Sequence, residues 1–207
     1  HRDLHSFPTR RSSDLTTMIE LTYPFDKGQI CALRAGDSVA VSGLMFTGRD
    51  RLHKYLYEGG AAPLSLRDGA LYHCGPVITP AEEGGWRVVA AGPTTSIREE
   101  PYMAKIIAEH GVRVIIGKGG MGSATVKACV EHGAVYLQTV GGAAALLAKR
   151  IQRVKEVHLL DAFGMAEAMW VLEVEKFEAV VGIDAHGGNL FAQVFNDSAT
   201  RLQTLLN

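Results

Sequence analysis

Short apolar runs alternate with longer amphipathic segments through the middle of the chain. Residues 86–91, 112–116 and 134–137 are strand-like, whereas residues 99–109 and 123–132 have helical periodicity and each end before or at a glycine. Strands that alternate with helices are typical of parallel β-sheets, because parallel strands need a crossover connection. The pattern therefore predicts an α/β fold with a central parallel sheet.

Both ends of the chain are richer in strands than the middle. A strand at 38–43 and a helix at 48–56 come first. The other predicted elements are strands at 71–76, 77–79, 157–160, 170–174 and 179–183, a small-residue helix near 141–142, and a short helix at 198–206. We expect a layered α/β domain over residues 18–207, in which a second sheet contains antiparallel strands.

Residues 1–17 are polar and charged and show no periodicity. We interpret them as an extraneous or disordered tail and exclude them from the fold. Met18 lies where we expect the native chain to start.

The overall composition favours a globular cytoplasmic protein. Of the 207 residues, 47% are hydrophobic and 21% are charged, and the net charge is −1. A near-neutral chain lacks the basic surface that nucleic-acid binding needs, so we predict no nucleic-acid partner. No apolar stretch approaches the roughly 20 residues of a membrane span, so we predict no membrane partner.

Cys31, Cys74 and Cys129 are widely spaced, and no Cys-x-x-Cys pair occurs. An odd number argues against a disulfide scaffold, and the spacing argues against a local zinc or iron–sulfur motif. Two interpretations stay open: the cysteines are small buried hydrophobic residues, which we favour, or they converge in space on a cluster.

The loop 117–122, Gly-Lys-Gly-Gly-Met-Gly, follows a strand and precedes a helix. It matches the G-x-G-x-x-G fingerprint of dinucleotide-binding proteins. Those proteins, however, carry an acidic residue after the next strand to bind the ribose, and no Asp or Glu lies between Glu131 and Glu156. A phosphate-binding P-loop is disfavoured because Lys118 is followed by glycine. A purely structural turn leaves Lys118 without a purpose, so anion binding is the favoured interpretation.

A second loop, Gly-Pro-Thr-Thr-Ser-Ile-Arg at 92–98, also follows a strand. If a helix begins at Thr94, the i, i+4 spacing puts its hydroxyl and the Arg98 guanidinium on one face. Arginine binds carboxylates bidentately, and Arg49 follows a glycine at another predicted helix start. Together the three loops predict a pocket for a small, doubly anionic molecule.

These motifs resemble the β subunit, or carboxy-terminal domain, of the iron–sulfur-dependent class I fumarases and L(+)-tartrate dehydratases. The matching segments are 42–54, 92–98, 117–122, 163–171 and 184–187. The resemblance implies a swivelling three-layer β/β/α domain and a partner α subunit that holds a [4Fe-4S] cluster on its own three cysteines. It thus implies no metal ligand on this chain, and an α2β2-type hetero-oligomer.

The same resemblance implies a hydro-lyase that interconverts a 2-hydroxy dicarboxylate and its unsaturated product, foremost malate and fumarate. By this resemblance Thr94 takes the proton, and Lys118 has both a catalytic and a substrate-binding role. Arg49, Arg98 and Gly92 complete the implied substrate site. The alternatives are an L-tartrate dehydratase β subunit, a dicarboxylate-binding domain without catalytic activity, and the disfavoured dinucleotide-dependent oxidoreductase.

Two positions depart from the family pattern. Glu99 follows Arg98 where relatives often have methionine, and Thr47-Gly48 precedes Arg49 where relatives often have alanine or cysteine. Both departures lie beside the predicted carboxylate-binding residues, so they bear on substrate choice.

Overall fold

A computed structural model of the chain describes residues 18–82 and 84–206. The predicted tail at 1–17 lies outside the described residues. The strands are β1 (Ile19–Thr22), β2 (Ser38–Gly48), β3 (Ala70–His73), β4 (Val77–Pro80), β5 (Trp86–Ala90), β6 (Val114–Gly117), β7 (Val135–Gln138), β8 (Ile151–His158) and β9 (Met169–Ile183). The helices are α1 (Lys27–Ala32), α2 (Asp50–Tyr57), α3 (Glu100–His110), α4 (Ser123–His132), α5 (Ala144–Ala148), α6 (Leu160–Phe163) and α7 (Leu190–Leu206), and a short 3-10 helix covers Ser96–Glu99.

Seven strands form one mixed sheet in the order β1-β2-β3-β6-β7-β9-β8. The strands β1, β2, β3, β6 and β7 run parallel to one another, whereas β9 is antiparallel to β2, β7 and β8. Because β9 pairs with both β2 and β7, the strands β2, β3, β6, β7 and β9 close into a ring. A separate two-stranded sheet joins β4 and β5. The prediction of a mixed α/β fold with parallel and antiparallel strands is thus confirmed.

Both faces of the large sheet are buried. In β6, Val114 and Ile116 belong to one hydrophobic cluster and Ile115 to the other, as expected from the two-residue repeat of a strand. One cluster packs against α2, α3 and α4, and the other includes residues of α1, α5 and the β4–β5 hairpin. Burial on both faces explains why these strands are continuously apolar rather than alternating.

Two predicted elements are longer in the structure. The strands predicted at 170–174 and 179–183 are one strand, β9, which continues through the exposed Lys176 in a left-handed conformation with φ 49°. The helix predicted at 198–206 begins at Leu190, because the Asn189 side chain accepts hydrogen bonds from the backbone N–H groups of Phe191 (3.0 Å) and Ala192 (3.2 Å).

Three short elements near the amino terminus and before β9 lack a clear sequence pattern: β1, α1 and most of β8. The helix α1 has a recognisable start, since the Asp26 carboxylate accepts the Gln29 N–H at 2.8 Å. Within residues 18–82 and 84–206, no helix combines the length and the apolar character that crossing a bilayer requires.

Candidate functional site

The carboxyl ends of three neighbouring parallel strands carry the predicted site. Arg49 directly follows β2, His73 ends β3, and Lys118 directly follows β6. These strands are adjacent in the sheet, so their ends meet at one edge. In α/β sheets this edge is where ligands bind, because loops and helix starts converge there.

The loop 92–98 folds onto the same edge. The Thr94 backbone N–H donates to the His73 carbonyl at 2.6 Å, and the Ser96 N–H donates to the Lys118 carbonyl at 3.0 Å. Thr95 and Lys118 also form an isolated parallel bridge. These backbone hydrogen bonds bring Thr94 close to β3. They also hold the 92–98 loop beside Lys118 of the 117–122 loop, so two of the three predicted loops are joined.

The predicted helical relation between Thr94 and Arg98 is wrong. Thr94 lies before the 3-10 helix Ser96–Glu99, and Thr95, at the N-cap of that helix, makes no side-chain capping hydrogen bond. The α-helix begins only at Glu100, because Pro101 favours the first turn. The two residues are therefore neighbours through the loop rather than through one helix face.

Both candidate arginines contact Asp50. The Arg98 guanidinium is hydrogen-bonded to the Asp50 carboxylate, and an Arg49 guanidinium nitrogen lies 3.9 Å from the same oxygen. Arg49 also has its Nε 3.6 Å from Glu167 Oε1. The Arg98 side chain is half exposed, so solvent screens its ion pair and leaves it free to exchange Asp50 for a ligand carboxylate.

Lys118 lies next to two glycines whose backbone conformation favours glycine. Gly119 and Gly120 have φ of 81° and 80°, in the left-handed region that side chains disfavour. Among the residues that the structure describes, no carboxylate lies within ion-pair distance of the Lys118 ammonium. Its charge is available to a ligand.

Gly92, a predicted substrate-binding residue, is half-buried against α5. A side-chain β-carbon at this position would lie 3.0 Å from the Ala144 β-carbon. Close packing of the loop on α5 therefore accounts for a glycine here, and its predicted contact with substrate stays a prediction.

Behind the cations lies a buried polar cluster that sequence reasoning missed. His53, His73 and Glu99 are completely buried, and the two imidazole rings meet edge to face with centroids 4.9 Å apart. His53 Nδ1 is 2.8 Å from the Arg49 carbonyl and 3.6 Å from Glu99 Oε2, beyond hydrogen-bond range. Neither Glu99 oxygen has a hydrogen-bond partner among the described residues.

Burial keeps the groups of this cluster uncharged. Desolvation, reinforced by the nearby Asp50 carboxylate, raises the pKa of Glu99 to about 8. Desolvation likewise lowers the pKa of His53 to about 4, and that of His73 well below its ordinary value. At neutral pH we therefore expect a protonated Glu99 beside two neutral imidazoles.

These shifts predict a stability maximum between pH 6 and 7. Native Glu99 keeps a proton that the unfolded chain releases above about pH 4.5, so its stabilising contribution is lost as pH rises towards 8. The two histidines have the opposite effect. As pH falls from 6.5 towards 4, the unfolded chain takes up protons on them and the native protein does not, so stability is lost. Glu99 is the residue whose replacement tests this account.

Glu99→Gln is expected to raise the free energy of unfolding at pH 8 more than at pH 5, by a difference on the order of 3 kcal/mol. Urea titrations at the two pH values measure this difference. The control is Glu58→Gln, which alters an exposed glutamate paired with Lys54. An equal effect of Glu99→Gln at both pH values would show that Glu99 is ionised in the native protein.

The neighbouring Glu100 has a different and structural role. Its carboxylate accepts the backbone N–H groups of Gly122 (2.8 Å), Ala124 (3.0 Å) and Thr125 (3.2 Å) at the start of α4. Gly122 occupies the N-cap position of α4 and has no side chain to accept these N–H groups. Glu100 thereby anchors the 117–122 loop to α3.

Other residues of the matching segments also stabilise the fold. The buried Thr47 hydroxyl accepts the Trp170 N–H at 3.0 Å, which joins β2 to β9. Asp184 accepts the N–H groups of Ala35, His186 and Gly188 at 2.8–2.9 Å, and these contacts lower its pKa against the opposing effect of desolvation. His53, His73 and His186 each make a hydrogen bond through a ring nitrogen.

The cysteines do not fit an iron–sulfur cluster. Cys74 and Cys129 are buried free thiols whose pKa burial raises to about 12, and Cys31 is half-buried. Across residues 18–82 and 84–206, no three His, Cys, Asp or Glu side chains are grouped as metal ligands would be.

Comparisons with known proteins identify the family of the chain. A Geobacillus stearothermophilus protein with the provisional name fumarate hydratase class I is 48% identical over 185 residues; these cover 89% of this chain but only 36% of that protein. The Escherichia coli K12 L(+)-tartrate dehydratase subunit beta is 35% identical over 175 residues, which cover 84% of this chain and 86% of that protein.

A Methanocaldococcus jannaschii protein with the provisional name L(+)-tartrate dehydratase subunit beta is 34% identical, and the alignment covers 90% of this chain and 99% of that protein. The sequence model of the family described as Fumarase C-terminus matches residues 1–194. The chain belongs to the Fumarase C-terminus family.

Proposed function

We propose that this chain is the β subunit, or the equivalent domain, of a [4Fe-4S]-dependent hydro-lyase. It interconverts a 2-hydroxy dicarboxylate and its unsaturated product, foremost malate and fumarate. The observation that carries the proposal is the convergence of three cation-bearing loops at one edge of the sheet, where Arg49 and Arg98 meet and Lys118 lies beside the Thr94 loop. The names of the relatives support the reaction class.

The arrangement suits a substrate with two carboxylates. Arg98 and Arg49 share one carboxylate, Asp50, in the absence of substrate, so a carboxylate of similar geometry fits between them. Lys118 lies across the 92–98 loop and is free to neutralise a second negative group. Two separated cationic positions favour a dicarboxylate over a simple carboxylate.

We propose that Thr94 acts as the base between these cations. In dehydration, a proton leaves the carbon next to a carboxylate, negative charge spreads into that carboxylate, and hydroxide leaves the neighbouring carbon. The partner's cluster would supply the Lewis acid for that hydroxide. Fixed cations stabilise the carboxylate charge as it develops. A threonine hydroxyl is a weak base alone, so we propose that the cationic surroundings favour the Thr94 alkoxide that accepts the proton.

We place the [4Fe-4S] cluster on a partner α subunit, and the lack of three grouped His, Cys, Asp or Glu side chains among the described residues supports this placement. The subunit names of the tartrate dehydratase relatives support a partner, and so does the greater length of the Geobacillus relative, of which this chain covers 36%. We further infer an α2β2-type assembly in which residues 18–207 form a single swivelling three-layer β/β/α domain.

An anaerobic assay of the complex tests this function and its runner-up. The chain is co-expressed with an α subunit of the family, and malate and L(+)-tartrate are supplied separately. We expect turnover of malate; faster turnover of tartrate would identify a tartrate dehydratase, which the relatives' names also favour. Binding of both acids without turnover, in a complex with an intact cluster, would indicate a dicarboxylate-binding domain.

A further inference from the structure

Ser96, the third hydroxyl of the Thr-Thr-Ser run, is the point at which two loops of the site are joined. It is completely buried. Its Oγ accepts the Lys118 backbone N–H at 3.2 Å and the Tyr136 hydroxyl at 3.0 Å, and it lies 2.9 Å from His73 Nδ1. One side chain thus connects the 92–98 loop with the ends of β3, β6 and β7.

The proton positions in this network follow from counting donors. Burial raises the pKa of Tyr136 to about 12, so its hydroxyl keeps its proton. Ser96 is its one side-chain hydrogen-bond partner among the described residues, and the Lys118 N–H occupies the second lone pair of Oγ. The single Ser96 proton therefore goes to His73 Nδ1, and neutral His73 carries its own proton on Nε2.

The Ser96 hydroxyl packs directly against Gly117. A β-carbon on Gly117 would lie 1.9 Å from Ser96 Oγ, so the hydroxyl fills the space that the glycine leaves open. The backbone of the same two loops is joined by the hydrogen bond from Ser96 to the Lys118 carbonyl. Without the hydroxyl, the Lys118 N–H, the Tyr136 hydroxyl and the His73 imidazole all lose a buried partner.

We propose that Ser96 is a positioning residue that sets the placement of Thr94 and Arg98 relative to Lys118 by accepting the Lys118 backbone N–H, and that the same hydroxyl fixes the Nε2–H tautomer of His73. This proposal rests on the proposed hydro-lyase function. His73 links to Thr94 directly, because its carbonyl accepts the Thr94 N–H at 2.6 Å. A shift of about 1 Å in such a loop typically costs on the order of 10²-fold in rate.

Two readouts test the proposal, and the first does not depend on activity. Nitrogen-15 NMR of the histidine rings in the wild-type chain is expected to show His73 as a single Nε2–H tautomer. In Ser96→Ala, His73 loses its donor and is expected to show a mixture of tautomers. An Nδ1–H tautomer of His73 in the wild type would overturn the proposal, whether or not the complex has hydro-lyase activity.

The second readout is the kinetics of the complete complex. Ser96→Ala is expected to lower kcat by about 50-fold while KM changes less than about threefold, because misplaced loops impair the reaction more than charge-based binding. The matched control is Thr95→Ala, which removes the exposed neighbouring hydroxyl. A kcat for Ser96→Ala equal to that of Thr95→Ala would overturn the positioning role, whereas an inactive wild-type complex would refute the proposed function itself.

Discussion

Thr94→Ala is expected to lower kcat of the complete complex by at least about 10²-fold, with little change in KM. Removal of a general base typically costs 10²–10⁴-fold, whereas the cations that bind the carboxylates are left in place. The main-chain contact of residue 94 with the His73 carbonyl does not involve the hydroxyl, so the loop is expected to keep its conformation. Initial rates of fumarate formation under anaerobic conditions measure the effect.

Thr95→Ala serves as the matched control for this change, because it removes a hydroxyl from the adjacent residue at the same loop. The control is expected to keep nearly full activity. If Thr94→Ala retained more than about a tenth of wild-type kcat, Thr94 would not be the base.

Arg98→Ala is expected to lower kcat/KM by about 100-fold, which corresponds to roughly 3 kcal/mol of transition-state binding. The expected loss is large because, in the proposed reaction, the guanidinium binds a substrate carboxylate that gathers charge. In the isolated chain this side chain is half exposed and paired with Asp50, so the required burial comes from substrate and partner. Steady-state kinetics of the complex measure the loss.

Arg153→Ala is the control for Arg98, since it removes an exposed arginine that pairs with Glu173 on the neighbouring strand β9. A loss of less than tenfold for Arg98→Ala would exclude Arg98 from the site. Equal losses for the two variants would point to a general effect of charge.

The sequence predicts the middle of the fold well because local signals agree there. The helices at 99–109 and 123–132 correspond to α3 and α4, and both end at a glycine in the left-handed conformation. The parallel pairing of β6 and β7 then follows from the single-helix crossover through α4. Agreement between turn residues, periodicity and connection length makes such segments predictable.

Elements that depend on distant partners are the ones that sequence patterns miss. The polar residues around Lys176 divide the apolar pattern of β9, yet the strand continues because β2 pairs with it on both sides of that point. The start of α4 is satisfied by Glu100 from another helix rather than by a local cap. Neither partner is recognisable without the tertiary structure.

The candidate site shows the same division. Glycine-rich loops after strands identify Arg49, Arg98 and Lys118 as cations at one edge, because parallel strands bring their carboxyl ends together. The buried roles of Glu99 and Ser96 depend on neighbours from other strands and have no sequence signal of their own. Their neighbours in sequence, Arg98 and Thr95, are exposed. The order of residues at 92–99 therefore does not indicate which side chains are buried.

The central claim is that this chain supplies a base and carboxylate-binding residues to a cluster held by a partner. Malate-to-fumarate conversion, followed by the absorbance of the double bond, tests it when the purified chain is assayed anaerobically with and without the α subunit. We predict no turnover by the chain alone, turnover by the complex, and loss of that activity in air. Robust turnover by the iron-free chain alone would contradict the account.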